Sequence, residues 1–202
     1  MTWAQKRRSE EYYRRAKKEG FRSRASYKLL QVHEKFHLID EGTKILDMGA
    51  SPGGWSQVIS KLNPDGLNVA TDIIPMDPVP GVIFSKGDIF SDEAIDRLLE
   101  KSEFGYDLIL SDILQHTSGQ RSIDHANSYF IAKRILEMAE RLLNRNGKML
   151  VKMLQGDLTD TAKKEYMEKF RKVRITKPPS SSPSSSEVYI LAEGFLGGKQ
   201  LR

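Results

Sequence analysis

The amino-acid sequence predicts an α/β protein: a seven-stranded, mostly parallel sheet with helices on both faces and an antiparallel last strand. Three observations lead there. Short apolar runs alternate with segments of helical period between residues 44 and 170. The first run leads straight into a glycine-rich turn, "GASPGG" (49–54), and then a helix. The last two runs are joined by "PPSSSPSSS" (178–186), with no helix between them. Alternation implies parallel strands with right-handed crossovers, whereas two strands lacking a helix imply an antiparallel pair at the sheet edge.

In order along the chain, Ala25, Leu29, Val32 and Phe36 recur at helical spacing, with Lys28 at the border of the apolar stripe. "KILDM" (44–48) is a short buried strand and "LNVATD" (67–72) a second. "GVIFSKGD" (81–88), "YDLILSD" (106–112) and "GKMLVKML" (147–154) are the third, fourth and fifth. Helices are predicted over 53–62, 91–101 and 124–144. In the last, Ile131, Ile135, Met138 and Leu142 share a face, and Gly147 lies just beyond its end. A helix over 160–170 precedes "VRIT" (173–176) and "SEVYILAEGF" (186–195), the antiparallel pair. The serine tract between them reads as a loop with no chemistry of its own.

The chain's 202 residues suit one domain burying about 70% of its unfolded surface. No run reaches ~18 apolar residues, so a membrane span is not expected. The N-terminus lacks the apolar segment of a secretory signal, and cysteine is absent. That excludes disulfides, thiolate zinc sites and a cysteine nucleophile, and fits a cytoplasmic protein. The net charge of +5 is unevenly spread: residues 1–28 carry ten Lys/Arg against three Glu. Trp3, Tyr12, Tyr13, Phe21 and Tyr27 are interleaved with those cations. Cations for phosphates and rings for bases suggest an RNA-binding arm over residues 1–22, followed by one domain over 23–202. The plainer alternative is a solubilising tail. A second basic cluster, 163–177, reads equally as a solvated helix face.

Three ligand classes compete for the glycine turn. A P-loop needs Gly-Lys-Ser/Thr, but Gly54 is followed by Trp55 and Ser56. A dinucleotide fingerprint needs a second glycine where this chain has Ser51 and Pro52, and proline offers no amide proton. The third is S-adenosylmethionine, which needs a close backbone but has no pyrophosphate. Asp72 ends the second strand, where a carboxylate would hold a ribose diol. Asp88 ends the third, where it could accept the adenine amino proton, and Asp112 ends the fourth. Each acid alone reads as readily as a turn cap.

The chain resembles the FtsJ-like (RlmE-type) ribose 2′-O-methyltransferases. The matching pieces are "FRSRASYKL" (21–29), "LDMGASPGGWSQV" (46–58), "IPMDPVPGVIFSKGD" (74–88), "SD" (111–112), "LVKMLQG" (150–156) and "SSEVYILA" (185–192). The resemblance implies a Rossmann-like S-adenosylmethionine-dependent methyltransferase fold. It implies a catalytic set of Lys28, Asp112, Lys152 and Glu187. It also implies cofactor contacts around Gly49, Gly53, Gly54, Trp55, Asp72, Asp88 and Asp112. Best-known members modify a uridine of large-subunit (23S) ribosomal RNA, and close relatives methylate tRNA anticodon-loop ribose. The expected partner is therefore large-subunit RNA, free or in the assembled subunit, and the expected state is a monomer. A catalytically silent RNA-binding protein on the same fold is the alternative from another class. Two departures stand out: Ile113-Leu114-Gln115-His116 replaces the family's Met-Ala-Pro-Asn, and the loop before Glu187 holds only Ser and Pro where an arginine is usual.

A ribose hydroxyl attacks a methyl group only as its proton leaves, so the site must supply a base and alignment. Lys152 is the candidate base, Asp112 its orienting partner, and Glu187 the residue that positions Lys28 or the ribose. An ordinary lysine pKa of ~10.4 would have to fall by roughly 2–3 units. One other motif, His33-Glu34-Lys35-Phe36-His37, matches H-E-x-x-H. Its helix ends at once and no third ligand follows, so a zinc hydrolase is not expected.

Overall fold

The computed structural model describes residues 3–113, 118–182 and 184–197, with side chains from residue 10 onward. Helix α1 (Trp3–Lys18) leads into α2 (Ser26–Phe36), then β1 (Lys44–Met48), α3 (Gly54–Leu62) and β2 (Leu67–Asp72). Next come β3 (Ile83–Lys86), α4 (Asp92–Ser102), β4 (Tyr106–Ser111), α5 (Arg121–Leu142) and β5 (Leu143–Leu154). The chain continues through α6 (Thr159–Lys169), β6 (Phe170–Thr176) and β7 (Glu187–Phe195). One sheet runs in the order β3-β2-β1-β4-β5-β7-β6. Strands β1 to β5 pair in parallel, and β7 lies antiparallel between β5 and β6. The antiparallel pair forms as expected, but its edge strand is β6; β7 is interior.

Helices cover both faces, and strand alternation decides which residue meets which layer. Leu46, Met48, Ile109, Met149, Val151, Met153, Val188 and Ile190 point into the core under α4, α5 and α6. Ile45, Leu108, Leu110, Leu150, Tyr189 and Leu191 point to the other core, under α2 and α3. Truncating a fully buried leucine here, such as Leu46 or Leu110, would cost about 2–5 kcal/mol. The same period of two puts Asp47, Asp112, Lys152 and Glu187 on the α2/α3 face. That is the face over which α2 lies, so its Lys28 can reach Glu187.

Several element boundaries differ from expectation, those of β5 and β3 among them. Strand β5 starts at Leu143, not 147, because Leu143 pairs with Tyr106 and the Asn144 amide donates to Asp107 at 2.9 Å. The chain then bulges through Asn146, at φ 66°, before Lys148 rejoins β4 opposite Leu108. That bulge breaks the periodicity in the sequence. Strand β3 is shorter than 81–88 because Val82 is already in a turn, its N–H bonded to the Val79 carbonyl.

The basic arm is not a free tail over its described part. Ala16 is buried, the Tyr12 and Tyr27 rings meet at 5.3 Å, and Phe21 packs edge-on to Tyr27 at 5.8 Å. These rings therefore pack on one another, leaving Tyr13 exposed. Trp3 and the cations Lys6, Arg7 and Arg8 lie outside the described side chains.

Candidate active site

The parallel register sets Ser111 opposite Val151, so the next residues, Asp112 and Lys152, emerge side by side at the carboxyl ends of β4 and β5. The antiparallel register pairs Lys152 with Tyr189 and Leu154 with Glu187. Lys28, in the first turns of α2, completes the group from above. Lys152 Nζ lies 3.0 Å from Asp112 Oδ1 and 3.9 Å from Glu187 Oε1, and donates to the Asp112 carbonyl at 2.9 Å. Lys28 Nζ donates to Glu187 Oε2 at 2.9 Å. Four charges thus alternate in sign along Lys28, Glu187, Lys152 and Asp112. The side chains of Lys152 and Lys28 are only 6% and 10% exposed, so the pairing is held in a mostly dry setting. Burial would raise the Glu187 carboxyl, but the facing Lys28 and Lys152 ammonium groups outweigh it and hold it below its ordinary value.

One member of this constellation carries no readable signal in the sequence. Tyr189 is fully buried beneath Trp55, and its hydroxyl donates to Asp112 Oδ1 at 2.6 Å. The same carboxylate oxygen therefore faces Lys152 and Tyr189. Burial, then the Asp112 charge, push the Tyr189 phenol well above its usual range, so it stays a donor. In the sequence it is one apolar residue of "VYILA".

On the other side of Asp112 lies a cavity of about 610 Å³ over the ends of β1 to β4, where the strand order reverses. Gly49, Asp72, Asp88 and Asp112 line it, with Ile73, Ile74, Ile89 and Phe90 on the apolar wall. Two of its acids also cap turns: Asp72 accepts from the N–H groups of Ser51 and Ile74, and Asp88 from that of Phe90, each at 2.9 Å. Both readings of a strand-end aspartate hold here together, because a carboxylate has acceptor sites left after one or two turn bonds.

The glycines are required for packing as much as for an open cavity. Gly49 has φ 74°, and a Cβ there would lie 2.3 Å from Ile113 Cγ1. A Cβ on Gly54 would lie 2.3 Å from Ser23 Oγ, and one on Gly53 2.7 Å from Arg22 Nη1. Gly53, Gly54 and Trp55 are not among the cavity's lining residues. Trp55 is buried, its Nε1–H donating to the Ala25 carbonyl at 2.8 Å. Arg22 is one of the ten cations of residues 1–28. Its guanidinium instead donates to the carbonyls of Pro52, Asp77 and Pro78 at 3.2, 2.6 and 2.8 Å, stapling the glycine loop to the loop after β2.

Beneath the loop, Asp47 accepts from Ser56 Oγ at 2.7 Å, while its other oxygen is buried without a hydrogen bond among the described residues. Burial pushes its carboxyl up to about 7, and the charges of Asp112 and Asp72 add to the rise while Ser56 opposes it. The H-E-x-x-H histidine His33 caps its own helix region, its Nδ1 accepting from the Ile39 N–H at 3.2 Å. Burial, then His37, lower its pKa. Among the described residues no group of three His, Cys, Asp or Glu is placed to hold a metal ion. His125, for which the sequence suggests no partner, is buried with both ring nitrogens bonded: Nδ1 to the Leu154 carbonyl and Nε2 from the Leu158 N–H. Its partners lie 29 and 33 residues away, so only the fold shows them. Leu114, Gln115 and His116, which carry most of the first departure from the family pattern, fall outside the described residues.

A sheet of this order, with a glycine loop leaving its first strand and acids at the next three strand ends, defines a Rossmann-like methyltransferase. The chain belongs to the FtsJ-like methyltransferase family, whose profile matches residues 21–195. It is 44% identical over 192 residues to ribosomal RNA large subunit methyltransferase E of Thermoplasma acidophilum, covering 93% of each chain. It is 41% identical over 199 residues to the protein of that name from Pseudomonas fluorescens, covering 98% of this chain and 95% of that one. A crystal structure described as a ribosomal RNA methyltransferase of Plasmodium falciparum matches with a TM-score of 0.80 at 33% identity, covering 88% of this chain and all of that one.

Proposed function

We propose that this protein transfers a methyl group from S-adenosylmethionine to a ribose 2′-hydroxyl of large-subunit ribosomal RNA, a uridine being the expected target. The observation that carries the reading is the alternating chain Lys28–Glu187–Lys152–Asp112, set at the edge of a cavity lined by three acids. The cavity suits this cofactor: carboxylates for a ribose diol, an amino group and a cationic methionine end, with an isoleucine and phenylalanine wall for a purine. Gly49, Asp72, Asp88 and Asp112 would hold it. When bound, it supplies a methyl group on a positively charged sulfur, already activated for displacement.

The chain's own residues then have distinct tasks. Lys152 Nζ, entering the step unprotonated, takes the proton of the attacking hydroxyl and ends as an ammonium beside Asp112. Asp112 fixes that amine through two contacts, one from its carboxylate and one from its carbonyl. Tyr189 fixes Asp112. Glu187 holds Lys28 against the acceptor side through one carboxylate oxygen, while its other oxygen faces Lys152.

The exposed cations and ring of the arm, Arg14, Lys17, Lys18 and Tyr13, form the RNA-binding surface, with residues 1–22 as the arm and 23–202 as the domain. No helix among the described residues is long and apolar enough to cross a membrane. A cytoplasmic monomer is the working state.

The test uses labelled S-adenosylmethionine with free large-subunit RNA, large ribosomal subunits and tRNA, all from cells lacking the enzyme. Label on large-subunit RNA, at one 2′-oxygen and lost in Lys152→Ala, is the expected result. Label on tRNA alone would reassign the substrate. RNA bound without transfer by the wild-type protein would mark a silent RNA-binding protein.

A further inference from the structure

A second groove, of about 530 Å³, opens on the far side of the catalytic group from the cofactor cavity. Asp112 lines the first cavity and Glu187 lines the second, with Lys152 between them at 3.0 and 3.9 Å. Displacement at a methyl carbon needs the nucleophile and the leaving group on opposite sides, in line. An acceptor must therefore approach from the side that this groove occupies.

The groove's chemistry is specific. Its walls are the start of α5, the end of β5 and the loop before β7. Of its charged side chains, Glu187 is paired with Lys28, and Asp124 accepts from the N–H and hydroxyl of Ser118. Arg121 is exposed and makes no ion pair or hydrogen bond with the described residues. The remaining polar groups are neutral: the Gln155 amide and the hydroxyls of the serines at 184–186. The floor is fixed. His125, one turn beyond Arg121, bonds to both ends of the segment leaving β5, and a Cβ on Gly156 would lie 2.8 Å from its ring.

We infer that this groove receives the acceptor nucleotide, unpaired and turned out of any helix, with Arg121 taking its phosphate and the Gln155 amide facing its base. The inference rests on the RNA methyl-transfer reading above. One free guanidinium suits one phosphodiester, because its planar fork matches the two free oxygens. Neutral amide and hydroxyl groups suit the edge of an uncharged base. A base still paired in a duplex could not present that edge, so the target must be single-stranded or extruded. The loop before Glu187 supplies no arginine, so Arg121 is the cation of this groove among the described residues.

The test measures steady-state methyl transfer to large-subunit RNA or subunits across a salt series, with Arg121→Ala, Arg121→Lys, Gln155→Ala and Arg145→Ala. Arg145 is exposed at the opposite end of β5 and matches the charge removed. Arg121→Ala is expected to raise the KM for RNA about tenfold and to reduce the log KM against log salt slope by about one contact, ~0.7 to 0.9. Its kcat should stay within about twofold, and S-adenosylmethionine binding by calorimetry should match wild type. Arg121→Lys should retain most of the slope, and Gln155→Ala should raise KM without changing it. Arg145→Ala should change neither. An unchanged KM and slope in Arg121→Ala, with transfer still lost in Lys152→Ala, would overturn the groove assignment and leave the enzymatic reading standing. No transfer by the wild type to any RNA, with the cofactor bound, would remove both.

Discussion

The two sides of the proposed catalytic group are built in opposite ways. The proposed cofactor side is local: most of its lining falls between Gly49 and Ile113, and its turns are closed by bonds of short span, such as Asp72 to Ile74 and Asp88 to Phe90. The proposed acceptor side is assembled from distant segments. Lys28 and Glu187 are 159 residues apart, and Asp112 and Tyr189 are 77 apart. Turn chemistry fixes the first side, and strand register fixes the second. A fault in the first should therefore appear in cofactor binding, and a fault in the second in turnover.

Lys152→Ala gives the sharpest division of the two. Removing a general base costs about 10²–10⁴-fold in turnover. Cofactor affinity by calorimetry should survive, since Lys152 does not line that cavity. Comparable loss of both would break the comparison. Gly49→Ala should do the reverse, weakening cofactor affinity by about 10–100-fold, because the backbone is left-handed and the new Cβ meets Ile113. RNA binding by filter retention should be unaffected.

Tyr189→Phe keeps the ring and removes one hydrogen bond to a partly buried carboxylate. A loss of about 1–2 kcal/mol, or roughly 5–30-fold in kcat, is expected, with both KM values near wild type. A change in KM instead would mean that Asp112 acts mainly in binding.

The smallest effect concerns Asp47. Its folded pKa of about 7 lies above the ordinary aspartate value of about 3.8, so the protonated form favours folding. That contribution is complete below about 3.8 and is lost as pH rises through about 7. Glu187 has the opposite sign: its stabilisation is present above its ordinary pKa and lost as pH falls through the lowered one. Between pH 5 and 8 only Asp47 of the two should matter. Asp47→Asn, uncharged throughout, should gain a few degrees of Tm over wild type at pH 8 and little at pH 5. Parallel curves across that range would refute an uncharged Asp47.

This contrast also explains what the sequence disclosed. Strand-end acids and a glycine turn are local patterns, so Gly49, Asp72 and Asp88 are legible from spacing and land on one cavity. Lys28, Lys152 and Glu187 have no local signature. They are proposed through the family resemblance, and the structure brings them together with Asp112. Tyr189 escapes because a tyrosine in an apolar strand looks like core, and it is core; only the pairing of Lys152 with Tyr189 turns its hydroxyl toward Asp112. Composition misleads over the arm: Arg22 counts toward its charge but staples backbone, and Tyr12, Phe21 and Tyr27 pack on one another. The start of β5 is obscured by its bulge.

The span between Lys28 and Glu187 also sets a timetable. A growing chain that has reached residue 113 already contains the strands and turns of the cofactor cavity. The partner of Lys28 and the strand that carries Tyr189 emerge only when synthesis has passed residue 189. At about 5–20 residues per second, that interval lasts on the order of several seconds. During it the nascent protein holds Lys28 without its carboxylate partner and, until residue 152 is made, without the proposed base. The proposed catalytic group is therefore complete only in the nearly finished chain.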